Sequence, residues 1–190
     1  PVTENTKRFV SAFLALDRKL AYARHYPAIN YLTSYSGYAK MLEDWYGENV
    51  GEDILELRAK ILKLLQEENR LMEIVQLVGE DVLPNDQRLV LEIAKVIKNG
   101  FLQQNALHPE DTYVDLKKQY KMIKAIDRLY DRASRCVKLG IPISQIKDEQ
   151  LFNEVIKIKY NVPNDEINRI NEVIKNIDSY YDDLEDKYKK

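Results

Sequence analysis

From residue 53 onward the apolar residues recur every three or four positions, a period that only a helix can turn to one side. Ile54, Leu57, Ile61, Leu64, Leu65, Leu71, Met72, Val75 and Val78 stripe one face of a segment that stops at Gly79, which predicts a long helix over 53–78. Residues 80–87 read as a turn, with Pro84 placed to open the next helix. Leu89, Ile93, Val96 and Ile97 carry the stripe over 85–98, toward Gly100. A connection this short makes the two helices fold back on each other as an antiparallel pair. A third helix is predicted from Asp115 to Leu139 on Leu116, Tyr120, Ile123, Ile126, Tyr130, Ala133 and Val137, ending at Gly140. Weaker stripes predict helices near 144–159 and 165–187, and the last nine residues, nearly all charged, are expected to fray.

The beginning of the chain follows another pattern. Residues 6–16 are short and apolar-rich, fit for one buried strand, yet a lone strand cannot pair with itself. Residues 18–38 hold tyrosines at 22, 26, 31 and 35 around His25-Tyr26-Pro27-Ala28-Ile29-Asn30. Pro27 biases Tyr26 away from helical angles, so this stretch reads as an irregular loop. The fold class is therefore mainly α: a bundle of about five to seven helices with an N-terminal strand segment.

Composition narrows the chemistry. The 190 residues carry 29 basic and 31 acidic side chains, a formal charge of -2, so no basic field recommends a nucleic-acid partner. No apolar run approaches the roughly 18 residues of a membrane span, and direct membrane insertion is not expected. One cysteine excludes an intramolecular disulfide. His25, His108 and Cys136 lack local metal-ligand spacing, and no metal site is expected. The six glycines, at 37, 47, 51, 79, 100 and 140, form neither G-x-x-x-x-G-K-[ST] nor G-x-G-x-x-G, so the chain has no phosphate cradle of either type. Cys136, on an apolar stripe, reads as a small core residue, and Trp45 as packing at a corner. The terminal Glu-Asp-Lys-Tyr-Lys-Lys reads as a charged end.

Four strings carry a family resemblance: FLALDRKLAYARHYPAINYLTSYSGY, LLQEENRLMEIVQLVGEDVLPNDQRLVLEIAKVI, FLQQNALHPEDTY and KKQYKMIKAI. In order and spacing over roughly residues 2–140, and more loosely to the end, the chain resembles the C-terminal part of the catalytic A subunit of archaeal A-type and related V-type ATP synthases. The resemblance implies that residues 1–40 are the tail end of a nucleotide-binding domain, with 6–16 as its last strand and a Tyr-rich adenine loop. It also implies that 41–190 form the C-terminal helical domain, including a rotor-facing helix-turn-helix at 53–98. The P-loop, the catalytic Glu and the magnesium-binding Asp of that family would lie upstream, so the chain would be an excised piece with no catalytic residue of its own.

On its own chemistry Tyr26 is a core tyrosine by the burial habits of its residue type. The resemblance instead sets it, in Tyr-Pro-Ala-Ile-Asn, against one face of an adenine. It implies a second wall from the Gln103-Gln104-Asn105-Ala106 segment, where the family usually has Phe after the Ala and this chain has Leu107. Leucine covers a base by dispersion but offers no π-face. Gln103 matches the position whose amide approaches the adenine edge, able both to donate and to accept; a solvated helix terminus reads Gln103 and Gln104 equally well. His108 reads as a helix-end or surface residue. Glu80, Asp81, Val82, Leu83 and Asp86 align with the acidic tip that touches the central stalk, while an ordinary acidic turn opposing the dipole of the next helix explains the carboxylates locally.

The whole-protein expectations follow from the resemblance alone. They are a rotary, ion-translocating ATP synthase or ATPase, binding ATP or ADP with Mg, while the isolated piece needs no cofactor and is inactive. The partners would be non-catalytic B subunits, alternating with catalytic ones in a ring, and central-stalk subunits. The location would be peripheral, on the cytoplasmic face of the cell membrane. A stand-alone helical adaptor presenting amphipathic faces to partner helices is the alternative reading.

Overall fold

A computed structural model describes residues 5–6 and 9–188 of the chain. The long periodic stripes become helices within a residue or two of their expected limits. Helices α1 (Arg18–Tyr22), α2 (Tyr38–Met41) and α3 (Glu43–Asn49) are short; α4 (Ile54–Val78), α5 (Asn85–Ile97) and α6 (Leu116–Lys138) are long. After them come α7 (Ile143–Ile146), α8 (Glu149–Ile156), α9 (Ile158–Asn161) and α10 (Ile170–Tyr188). The fold is mainly α, and five of these helices reach eight residues or more among the described residues.

Helix α5 is the centre of the bundle. Leu89, Val90, Leu91, Ile93, Ala94, Val96 and Ile97 are all buried, too many for one face, because α4, α6 and α8 pack around it. The acid on this helix is neutralised in place: Lys95 Nζ and Lys147 Nζ donate to the Glu92 carboxylate at 2.7 and 2.8 Å. Burial raises the Glu92 pKa, but the hydrogen bonds from Lys147 and Lys95 outweigh it and hold the carboxyl below its usual range. Antiparallel packing of α4 on α5 shows in the ion pair Lys98–Glu68 at 2.7 Å, which joins residues on opposite sides of the turn. Just past α5 a π-helical turn, Lys98–Leu102, contains Gly100. A β-carbon on Gly100 would lie 3.0 Å from the Ile156 Cα, so glycine here lets α8 approach by its backbone.

Helix α6 ends in a Schellman motif: Ile141 N donates to Cys136 O at 3.1 Å and Gly140 N to Val137 O at 2.9 Å, with Gly140 at φ +78°. The adjacent Cys136 is fully buried in the core, and burial raises its thiol pKa.

Four expectations need correction. The segment 6–16 is not one strand: β1 is Ala12–Phe13, and Lys7 and Arg8 fall outside the described residues. It finds its partner inside the Tyr-rich region, where β2 (Tyr35–Ser36) pairs with it antiparallel and Leu16 bridges Ile29. The expected helix over 144–159 is three pieces. Asp148 caps α8 by accepting from Leu151 N at 2.7 Å, and Lys157, at φ -87° and ψ 0°, breaks the path before α9. The C-terminal charges do not fray as far as Tyr188, since Tyr181, Leu184 and Glu185 are buried against α6; residues 189–190 lie outside the described residues. Trp45 is not packed in a corner but 47% exposed on α3, touching only the edge of Tyr46 among the described aromatic pairs.

Candidate functional site

Two parts of the chain that are far apart in sequence meet around Tyr26. Asp17 begins the construction as the cap of α1: Oδ1 accepts from Lys19 N and Leu20 N at 2.8 and 3.1 Å, while Oδ2 accepts from Asn30 Nδ2 at 2.8 Å. Hydrogen bonds from the Leu20 amide and the Asn30 amide group hold the Asp17 carboxyl below its ordinary pKa. Asp17 N donates to Ala28 O and Asn30 N to Ala15 O, so the Ala28–Asn30 segment is laced to Ala15–Asp17. His25 N donates to Leu20 O at 2.9 Å, and the His25 side chain is buried behind the loop. Burial, with Lys159 and Lys98 nearby, lowers the pKa of that imidazole.

On this fixed loop Tyr26 is 54% exposed, which removes the core-tyrosine explanation. The second strand of the site arrives from the π-helical turn. Gln104 N donates to Tyr26 O at 2.7 Å, and Gln103 Nε2 reaches Arg24 O at 3.4 Å. Gln104 is exposed just past the turn yet tied down: its Nε2 donates to Asp111 O at 2.8 Å, and Asn105 N donates to Asp111 Oδ2 at 2.6 Å. The 103–112 segment is thus a tied loop, with Asp111 buried at its root. Leu107 stands on the same loop and is 94% exposed. His108 is half-buried with its ring 4.6 Å from that of Tyr160, so it supports the loop from below. The structure brings the Tyr26 and Gln103 segments together through the Gln104 N–Tyr26 O and Gln103 Nε2–Arg24 O hydrogen bonds.

What holds this loop went unseen in the sequence. Lys159 is buried and its Nζ donates to Gln103 O at 2.5 Å. Lys118 is also buried, and its Nζ donates to Val162 O at 2.7 Å, Asn164 Oδ1 at 2.9 Å and Lys159 O at 3.4 Å. A signal existed. Lys118 stands four residues before Met122 on the apolar stripe of α6, and Lys159 four after Val155, where a solvated lysine would not belong.

The tip between α4 and α5 is built differently. Helix α4 is buried through Leu71, but beyond that point Leu77 is 85% and Val78 54% exposed. Gly79, at φ +88°, turns the chain into a 3₁₀ turn over Glu80–Val82, and Asn85 opens α5 without a side-chain cap. Asp81 and Val82 point outward, Asp86 is exposed and Glu80 half-buried. Leu83 is buried, so it anchors the tip from inside rather than presenting itself to solvent. The nearest cation to the tip acids, Arg88, lies 3.9 Å from Asp81, a pairing too long and exposed to neutralise it.

Among the described residues no helix is long and apolar enough to cross a membrane, and no cluster of ligating side chains could hold a metal. Comparison with known proteins matches residues 43–147 to the family model described as the C-terminal domain of V and A type ATP synthase. The V-type ATP synthase alpha chain 2 of Clostridium tetani is 65% identical over 190 residues, covering 100% of this chain and 32% of that protein. The V-type ATP synthase alpha chain of Halothermothrix orenii is 51% identical over 99% of the chain. The V-type ATP synthase alpha chain of Thermoanaerobacter sp. (strain X514) is 49% identical over 84% of it. The chain covers 32% and 27% of those two proteins, so it spans about a third of the length of the relatives it matches.

Proposed function

Because the chain belongs to the family of C-terminal domains of V- and A-type ATP synthases, we propose that it serves the catalytic subunit of a rotary enzyme in two ways. Its Tyr26 loop contacts the adenine of ATP or ADP, and its helical hairpin carries force to a central stalk. The parent couples ATP synthesis or hydrolysis to proton or sodium movement, in a ring with non-catalytic B subunits, peripheral to the cytoplasmic face of the membrane. The magnesium and phosphates belong to residues upstream of this piece.

One observation carries the nucleotide reading: the 2.7 Å hydrogen bond from Gln104 N to Tyr26 O, which joins the segment of the exposed Tyr26 to the loop that carries half-buried Gln103 and exposed Leu107. An exposed tyrosine on an internally hydrogen-bonded loop is wasted on folding but suited to stacking. Tyr26 supplies a π-face for one side of the base, Gln103 an amide for its edge, and Leu107 an apolar cover for the other side. Here the residues fit a base and not a phosphate. Catalysis of phosphoryl transfer is positioning plus electrostatic stabilisation, and this piece contributes to the first of these.

Both side chains are exposed enough to change without rebuilding the core. In the assembled enzyme Tyr26→Ala is expected to weaken ATP binding by about 1–3 kcal/mol, the value of one stacked base. Leu107→Phe is expected to tighten it by about 1 kcal/mol, the margin of an aromatic contact over simple burial. Titration of nucleotide into each variant measures both, and unchanged affinity in the pair would remove these residues from the site. The isolated chain should show no measurable ATPase. Calorimetry on it that returned a micromolar ATP dissociation constant would contradict a base-only site.

A further inference from the structure

We infer that Lys159 is a positioning residue for nucleotide binding: its buried ammonium fixes the Gln103 carbonyl and so holds the base-contact loop against Tyr26. The inference rests on the adenine reading of that loop.

Burying an ammonium is costly, and the cost is normally met by a carboxylate. Among the described residues no carboxylate lies within ion-pair distance of Lys159; its contacts are Gln103 O at 2.5 Å and the Tyr160 ring, 4.9 Å from Nζ. Burial, only partly opposed by Asp111, lowers its pKa. A methionine of similar length would fill the same space without desolvating a charge. What the lysine adds is a strong, directed donor aimed at one backbone oxygen. That oxygen belongs to the residue before Gln104, whose own N–H holds Tyr26 O. Lys159 therefore sits two links behind the exposed ring.

The anchor is itself anchored. Lys118 takes Lys159 O, Val162 O, Asn164 Oδ1 and, at 3.5 Å, Glu110 O, so one buried ammonium ties α9 to the far end of the same loop. Asp111 closes the loop from inside through Asn105 N. His25 is buried, and the positive charges of Lys159 and Lys98 add to burial in lowering its pKa. A loop built this way can hold a ligand group to a fraction of an ångström, and small misplacements are expensive in positioning.

The test uses the full-length subunit in its assembled complex and two probes, ATP and inorganic tripolyphosphate, which lacks a base. Lys159→Met is expected to weaken ATP about tenfold, within the range set by loss of one base stack, and to leave tripolyphosphate unchanged. Lys159→Arg, which keeps a donor, should recover much of the ATP affinity, and thermal melting of each variant reports folding separately. If Lys159→Met weakens both probes equally, its effect is general destabilisation and the inference fails. If it leaves ATP untouched while Tyr26→Ala weakens it, the lysine has no positioning role and the adenine reading stands. If neither variant moves ATP affinity, both the inference and the reading beneath it are overturned. Should Lys159→Met not assemble, Lys159→Arg decides alone: an ATP-to-tripolyphosphate affinity ratio like the unaltered enzyme's supports the donor role, and a ratio reduced as in Tyr26→Ala refutes it.

Discussion

Replacing Arg132 by methionine is expected to lower the stability of the chain by about 3 kcal/mol, the cost of taking one member out of a buried ion-pair network. The guanidinium lies between α6 and α10 with its side chain 10% exposed. Nη2 donates to Asp182 Oδ1 at 2.6 Å and to Glu185 Oε1 at 3.3 Å, and Nη1 lies 3.8 Å from Asp178. Glu185, 3% exposed, loses the 3.3 Å contact when Arg132 is replaced, while Arg135 Nε still lies 3.4 Å from its other oxygen. Asp178 retains Arg128 at 2.6 Å and solvent, so the loss concentrates on Glu185. For a chain of this size the melting temperature should fall by about 6–12 °C. Arg128→Met, at an exposed pair, should cost less than about 1 kcal/mol and serves as the control.

The same geometry predicts a rescue. Arg132 Nε is buried without a hydrogen-bond partner among the described residues, so the network is imperfectly satisfied. Replacing Arg132 by Met and Glu185 by Leu together removes both charges and should recover most of the loss. Urea melts of the single and double variants measure this. Equal losses for Arg132→Met and Arg128→Met would mean that the buried pair contributes no more than a surface one.

That network also explains what the sequence could and could not disclose. The long helices were legible because a 3.6-residue period sustained over three or more turns has one structural solution, and because Gly79 and Gly140 mark where two of them stop. The C-terminal charges looked like a fraying end since nothing local says that Glu185 will face Arg132, 53 residues away. The break at Asp148 rests on a local cap, Leu151 N to Asp148 Oδ1, which an Asp at that position could have signalled, whereas the close backbone approach of Ile156 to Gly100 is a tertiary fact. For the candidate site, residue type alone read Tyr26 as core, and only the family likeness pointed to Tyr26, Gln103 and Leu107. The supporting lysines were signalled only by their place on apolar stripes; that they hold carbonyls is set by partners 41 to 56 residues away. Pairing of β1 with β2 was illegible for a related reason: two-residue strands carry no period.

Removing the tip should damage the motor far more than neutralising it. At about 1.5 Å per residue, the 25 residues of α4 extend roughly 37 Å, and the Glu80–Val82 turn follows its C-terminal end. Up to Leu71 the helix is clamped to α5 by buried side chains, and Leu83 and Leu89 fasten the returning limb. A packed pair of this kind moves as a unit and pushes by shape. The charges on it are weak levers by comparison. Asp81 and Asp86 are exposed, and each exposed ion pair with a stalk would contribute only about 0–1 kcal/mol, screened further by salt. Changing Glu80, Asp81 and Asp86 to their amides in the assembled enzyme is therefore expected to leave rotation coupled, with a modest loss of torque. Deleting the turn with one helical turn on each side takes away Leu77, Val78 and Val82, the exposed apolar residues around the acids, and shortens the lever. Torque should then fall severalfold below that of the amide variant. Single-molecule torque on the two proteins separates the mechanisms: a stiff lever predicts unequal losses, and equal losses would assign the contact to charge.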